Sequence, residues 1–169
     1  MISLGHRRIA FVTGPQNLTV ANLRLQGYRK ALTDAGIPFD DALLIRGNFT
    51  QAGGKQAAEI LAGLPQEARP SAVFACNDET AFGLMYRLRE LGWQLPEDIS
   101  ICGFGDLPMA QMVTPGLTTV HIALRELGRA GAQKILAQLQ NKQDPTHEMF
   151  PTSVVKRGST IPLEHTSNV

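Results

Sequence analysis

Four short unbroken apolar runs, separated by three stretches of helical length, constrain this chain more than any other feature. The runs are RIAFVT (8–13), ALLIRG (42–47), SAVFACN (71–77) and ISICGFG (99–105), and between them lie VANLRLQGYRKALTDAG (20–36), QAGGKQAAEILAGL (51–64) and ETAFGLMYRLRELG (79–92). Strands that read as continuous apolar runs, rather than alternating ones, are buried on both faces. Strand and helix in strict alternation then predict a doubly wound α/β fold with a parallel sheet. Gly36 and Gly92 stand where the first and third helices need a left-handed cap, and Pro38 and Pro96 prevent continuation. After Gly105 the rhythm changes: LTTVHI (117–122) predicts one more strand, LRELGRAGAQKILAQLQ (124–140) one long helix, and EMFPTSVVKRGST (148–160) an extended tail. Leu127, Ala130, Ile135 and Leu139 fall along one stripe of that helix, a face that needs a partner surface. Nothing earlier in the chain supplies one, so the expectation is part of a larger two-lobed protein.

Charge and composition exclude several classes. The chain has 169 residues, 43% of them apolar, and a formal net charge of +1 with its 16 Lys and Arg scattered. That is enough apolar content for a sizeable core, and it lacks the basic footprint of a nucleic-acid binder. No apolar run is long enough to span a bilayer, and MISLGHRR has no secretory apolar core, so the expectation is a cytoplasmic protein without membrane association. Cys76 and Cys102 lie inside apolar runs and are expected as buried free thiols.

In an open parallel sheet, ligands collect outside the carboxyl ends of the strands. The segments there are TGPQN (13–17), GNFT (47–50), CNDE (76–79) and GFGD (103–106), which should share one rim. Asn77 and Asp78 at the head of the third helix are either N-caps or ligand contacts. Phe49, in a polar loop, is either a stacking surface for a ligand ring or an aromatic closing the core. Arg24 sits in the early turns of the first helix, where the macrodipole does not favour a cation; it is either a ligand or carboxylate partner or a solvated arginine. Gly103 is expected to let the chain turn and Phe104 to pack inward.

Enzyme readings fail on the same segments. GFGDLP lacks the third glycine of a dinucleotide fingerprint and follows the fourth strand rather than the first. GGKQ (53–56) has Phe49 where a phosphate loop needs its first glycine and Gln56 where it needs Ser or Thr. The histidines at 6, 121, 147 and 165 have no metal-ligand spacing, and there is no nucleophile elbow. The expectation is a non-enzyme with neither cofactor nor metal.

GHRRIAFVTGP (5–15), RLQGYRKALTDAGIP (24–38), FACNDETAFGLMYRLRELGWQLPEDISICGFGD (74–106) and TPGLTTVH (114–121) together resemble the effector-binding region of the lactose-repressor (LacI/GalR) family of bacterial transcription regulators, in order from about Gly5 to Thr160. The resemblance implies a periplasmic-binding-protein-like type I fold, here its C-terminal lobe (1–122), a helix returning to the N-terminal lobe (123–145) and C-terminal strands and tail (146–169). It implies a small-molecule effector, a small sugar or a purine, held between two lobes and controlling operator binding by allostery. Operator DNA would be reached through a helix-turn-helix headpiece that this sequence does not contain.

Carried over residue by residue, the resemblance makes Arg24 the effector hydrogen-bonder, Phe49 the stacking aromatic and Asn77 a polar contact. Gly105 and Asp106 mark a departure: relatives commonly read G-[FY]-D-[DN], whereas here Gly105 takes the place of the first acid and Asp106 remains. Losing that carboxylate favours an anionic effector such as a sugar acid of the gluconate type. The resemblance also implies a homodimer, with Phe82, Met85 and Met112 at its interface. Two other readings share the fold, a periplasmic sugar-binding protein and a stand-alone flavodoxin-like domain that buries its last helix within itself.

Overall fold

The computed structural model of the chain describes residues 1–140 and 148–163. The expected elements form: β1 (Ile9–Val12), α1 (Thr19–Asp34), β2 (Leu44–Ile45), α2 (Gln51–Ala62), β3 (Ala72–Ala75), α3 (Asp78–Glu90), β4 (Ser100–Gly105), β5 (Thr118–Ile122), α4 (Leu124–Leu139) and β6 (Thr152–Val155). The sheet runs β2-β1-β3-β4-β5-β6. β1 to β5 pair in parallel, and β6 pairs antiparallel to β5 with Ile122 opposite Thr152. The parallel sheet read from the sequence thus forms and carries one antiparallel strand at its edge. The chain leaves β5 at its carboxyl end, makes α4, and re-enters beside the residue it left, which admits only an antiparallel strand.

Successive residues along each strand serve opposite faces. Ala10, Val12, Val73, Ala75 and Ile101 point to α2 and α3, where Leu61, Leu84 and Leu88 complete the larger core. Ile9, Phe11, Ala72 and Phe74 point to α1, where Tyr28 and Leu32 meet them. Tyr28 stacks on Phe11 with ring centroids 5.0 Å apart and donates its hydroxyl to the Ile9 carbonyl at 2.8 Å, so this aromatic is buried with its polar end satisfied.

Local signals act as the chemistry demands. Thr50 caps α2 by accepting from the Gly53 amide, and Asn77 caps α3 by accepting from the Thr80 amide. Gly36 and Gly92 adopt φ of 65° and 86° past the ends of α1 and α3. The glycines of GGKQ sit inside α2, and their role is contact: a Cβ on Gly54 would run into the Thr80 carbonyl, and one on Gly83 into the Gln51 backbone. Small residues on both helices let α2 and α3 meet closely, which is why a glycine pair there is no phosphate cradle.

Two apolar surfaces are left uncovered among the described residues. None of α4 is buried, and Leu127, Ile135 and Leu139 are 48%, 60% and 77% exposed. Beside α1, the sheet face carries a groove of about 830 Å³ lined by Phe74, Cys102, Phe104, Ile122 and Val154. Cys102 is therefore only partly buried, a correction to the expectation for it, while Cys76 is buried; both are free.

The expected domain ranges meet the structure unevenly. The helix assigned to 123–145 spans Leu124–Leu139, and 141–145 lie outside the described residues. Of 146–169, residues 146, 147 and 164–169 lie outside them, including His147 and His165.

Candidate functional site

The four segments at the strand ends do share one rim, laced by their own hydrogen bonds. The Gly47 amide donates to Thr13 Oγ1 at 3.2 Å, joining the ends of β1 and β2. Asn77 donates from Nδ2 to the Phe49 carbonyl at 2.8 Å, joining β2 to β3. The Leu107 amide donates to Asp78 Oδ2 at 2.8 Å, joining the head of α3 to the end of β4. Arg24 reaches across from α1 and donates from Nη1 to the Cys76 carbonyl at 2.6 Å.

Arg24 is the centre of the arrangement. Its guanidinium lies over the Phe104 ring, 4.0 Å from the centroid, and 5.7 Å from that of Phe49. Its Nε is buried without a hydrogen-bond partner among the described residues. Desolvation holds its pKa below the ordinary arginine value, against the opposing pull of Cys76 and Asp78. Arginine remains charged under such a shift, so the rim presents a cation that is partly dehydrated, aromatically braced and short of one acceptor.

Phe49 is held in an unusual conformation. Its φ is 67°, a left-handed value seldom adopted by an aromatic residue. The outer edge of the ring sits beside Gly14, where any Cβ would collide with it, and the Phe49 carbonyl is fixed by Asn77. Asn77 is therefore the cap of α3, through Oδ1, and it also positions Phe49 through Nδ2, so both ends of its amide are engaged within the chain.

Asp78 is not a cap. It is 1% exposed and its carboxylate accepts from Leu107 N and, at 2.5 Å, from Thr119 Oγ1. Gly103 does not turn the chain either; a Cβ there would strike Asp78 Oδ1, so its glycine makes room for the buried acid. Phe104 lines the groove and braces Arg24 instead of packing into the core, and it is the site residue that sequence reasoning missed. The alternation in GFG carried the signal: residues 101 and 103 face α3, so 102 and 104 face α1 and Arg24.

Gly105 and Asp106 stand apart from the rest. Gly105 has φ of 138° and Asp106 φ of 55°, a turn that aims the Asp106 carboxylate at β5 and the segment beyond β6. There Oδ1 meets Arg157 Nη2 at 2.7 Å and Oδ2 meets His121 Nδ1 at 2.9 Å. Partial burial pushes its pKa up, but the hydrogen bonds from Arg157 and His121 outweigh that and hold it below the ordinary carboxylate value. The structure therefore groups Arg24, Phe49 and Asn77 and leaves Asp106 engaged elsewhere.

The three expected interface residues also separate. Phe82 and Met85 are 6% and 3% exposed, within the larger core, whereas Met112 is 77% exposed. The spacing of apolar residues on α3 marks its core face, which corrects the reading of Phe82 and Met85 as surface. Tyr86 and Met109 are the exposed neighbours available beside Met112. Among the described residues no His, Cys, Asp and Glu cluster has metal-binding form, and no helix is long and apolar enough to cross a membrane.

Comparison with known proteins completes the description. Residues 1–160 match the periplasmic binding protein-like domain family. A transcriptional repressor of Vibrio atlanticus, PurR, is 36% identical over 165 residues, covering 96% of this chain and 48% of the repressor. Among solved structures, the transcriptional regulator CelR in complex with cellobiose superposes with a TM-score of 0.86 at 34% identity, covering 94% of this chain and 48% of that one. A dimeric Lac repressor superposes with a TM-score of 0.86 at 30% identity, covering 96% and 58%. The chain spans about half the length of the curated relatives it matches.

Proposed function

Since the chain belongs to the periplasmic binding protein-like family, among its LacI-type transcriptional regulators, we propose that it is the C-terminal lobe of an effector-binding domain, which holds a small sugar or sugar acid against the strand-end rim and transmits occupancy to an operator-binding headpiece. The observation that carries this reading is the dehydrated Arg24 guanidinium, braced by Phe104 and Phe49 at the carboxyl ends of β1 to β4 with one donor unpaired. A ring with hydroxyls finds there an aromatic surface at Phe49 and a fixed donor at Arg24. The exposed stripe of α4 supports a second lobe as its partner, and speaks against a stand-alone domain that buries this helix within itself.

Charge refines the class of effector. Gly105 offers no carboxylate, Asp78 is spent on Leu107 and Thr119, and Asp106 is spent on Arg157 and His121. No described acid of the GFGD segment remains to neutralise Arg24 or to accept from sugar hydroxyls. An anionic sugar acid supplies both the missing charge and the missing acceptor. A relative of this architecture was solved with cellobiose, a neutral sugar, so the alternatives are distinct. Calorimetry on a two-lobed regulator containing this lobe decides: aldonates such as gluconate bind and neutral aldoses do not. Tight binding of a neutral sugar without response to aldonates overturns the assignment. The regulator is further proposed to act as a homodimer, through the face that carries Tyr86, Met109 and Met112.

A further inference from the structure

Asp106, His121 and Arg157 join three separate parts of the chain: the turn after β4, the end of β5 where the chain leaves for α4, and the segment that follows β6, the strand by which it returns. His121 is the penultimate residue of β5, and Arg157 lies two residues past β6. Beyond its ladder with β5, side-chain packing holds β6 weakly: Thr152, Ser153 and Val154 are exposed and none of its residues is fully buried. The attachments of the returning segment are polar. Beyond its pairing with Asp106, Arg157 donates from Nη1 to the Leu117 carbonyl at 2.8 Å, and its amide donates to Thr118 Oγ1 at 2.9 Å. The Thr118 amide in turn donates to Ser159 Oγ at 2.8 Å.

The turn that presents Asp106 is itself pinned. Residues 105 and 106 both have positive φ, and the Leu107 amide that follows is held by the buried Asp78. A non-glycine residue in the left-handed region is strained, and the surrounding contacts must offset that strain. The side chains of Asp106 and Arg157 are 16% and 19% exposed, and that of His121 is 47% exposed. Their attraction is therefore less screened than that of a surface pair.

We propose that Asp106, Arg157 and His121 form an ionic clamp that fixes the exit strand and the return strand of α4 to the end of β4. Asp106 is then a positioning residue for the crossover and not an effector contact. The assignment does not depend on what the rim binds. Its mechanical consequence is that β5 and β6, the strands by which the chain leaves for α4 and returns from it, are tied to the end of β4 by charge at two places, His121 beside the exit and Arg157 past the far end of β6.

Hydrogen exchange on the 169-residue chain tests this. In Asp106→Asn and in Arg157→Gln, amides of 118–123 and 152–158 exchange faster by roughly fivefold, while those of β1 and β3 do not change. The double variant is no faster than the single ones. Added salt at about 1 M, where the screening length falls to about 3 Å, speeds exchange of the same segments in the wild type and leaves Asp106→Asn unaffected. Arg157→Lys, which keeps the charge, retains most of the protection, and His121→Gln loosens the segments without threatening the fold. Unchanged exchange in the variants, additive effects, or protection indifferent to salt in the wild type overturns the clamp.

Discussion

Arg24 and Asp106 are both charged, both near the strand ends, and have opposite fates. Arg24 was legible as a cation in the wrong part of a helix, and the structure shows why it stays there: an aromatic face on one side and a carbonyl at 2.6 Å on the other. The partnering of Asp106 was not legible, because Arg157 is 51 residues away and no periodicity links them. The burial of Tyr28 and Cys76 has a consequence for pH. Desolvation and then Asp40 push Tyr28 up to about 12, and desolvation pushes Cys76 up to about 12, Arg24 opposing. Both are acids held neutral in the fold, so the stability they contribute is complete below their unfolded values, about 8.5 for Cys and 10 for Tyr, and is lost as pH rises towards about 12. Urea unfolding followed from pH 8 to 11 is expected to show a falling midpoint, and Tyr28→Phe, at a cost of about 1 kcal/mol at pH 8, flattens the tyrosine part of that fall.

At the scale of elements, the alternation of apolar runs and helical stretches placed β1 to β5 and α1 to α4 to within a few residues. What it could not convey is direction: β6 reads as extended chain, and its antiparallel pairing depends on where α4 ends. The same limit applies to α3, where apolar periodicity identified a face without saying what the face meets, so Phe82 and Met85 fell into the core. The tight seam between α2 and α3 gives a sharp test. Gly83→Ala places a methyl into the Gln51 backbone and is expected to destabilise by about 2 kcal/mol or more, read from denaturant midpoints. Conversely, Ile135→Glu on the uncovered face of α4 is expected to change the stability of this chain by less than about 0.5 kcal/mol.

For the whole molecule, the fold class and the shared rim were recoverable from sequence because they rest on patterns repeated along the chain, and the family because its motifs stand in order from about Gly5 to Thr160. The uncovered stripe of α4 was recoverable too, as an apolar face with no partner in the sequence. Association between copies was not, since only exposure in the folded lobe separates Met112 from Met85. If the face with Tyr86, Met109 and Met112 joins two copies, Met112→Glu in the two-lobed regulator shifts the sedimentation profile from dimer to monomer, whereas a charge on α4 does not. The central claim, that the rim around Arg24 receives a small anionic effector, is tested most directly by amide and arginine side-chain NMR on the 169-residue chain titrated with millimolar gluconate. Saturable shifts confined to Arg24, Phe49, Asn77 and Phe104, abolished in Arg24→Gln and not reproduced by glucose, are the predicted result. Shifts that avoid the rim, or that persist unchanged in Arg24→Gln, would contradict it.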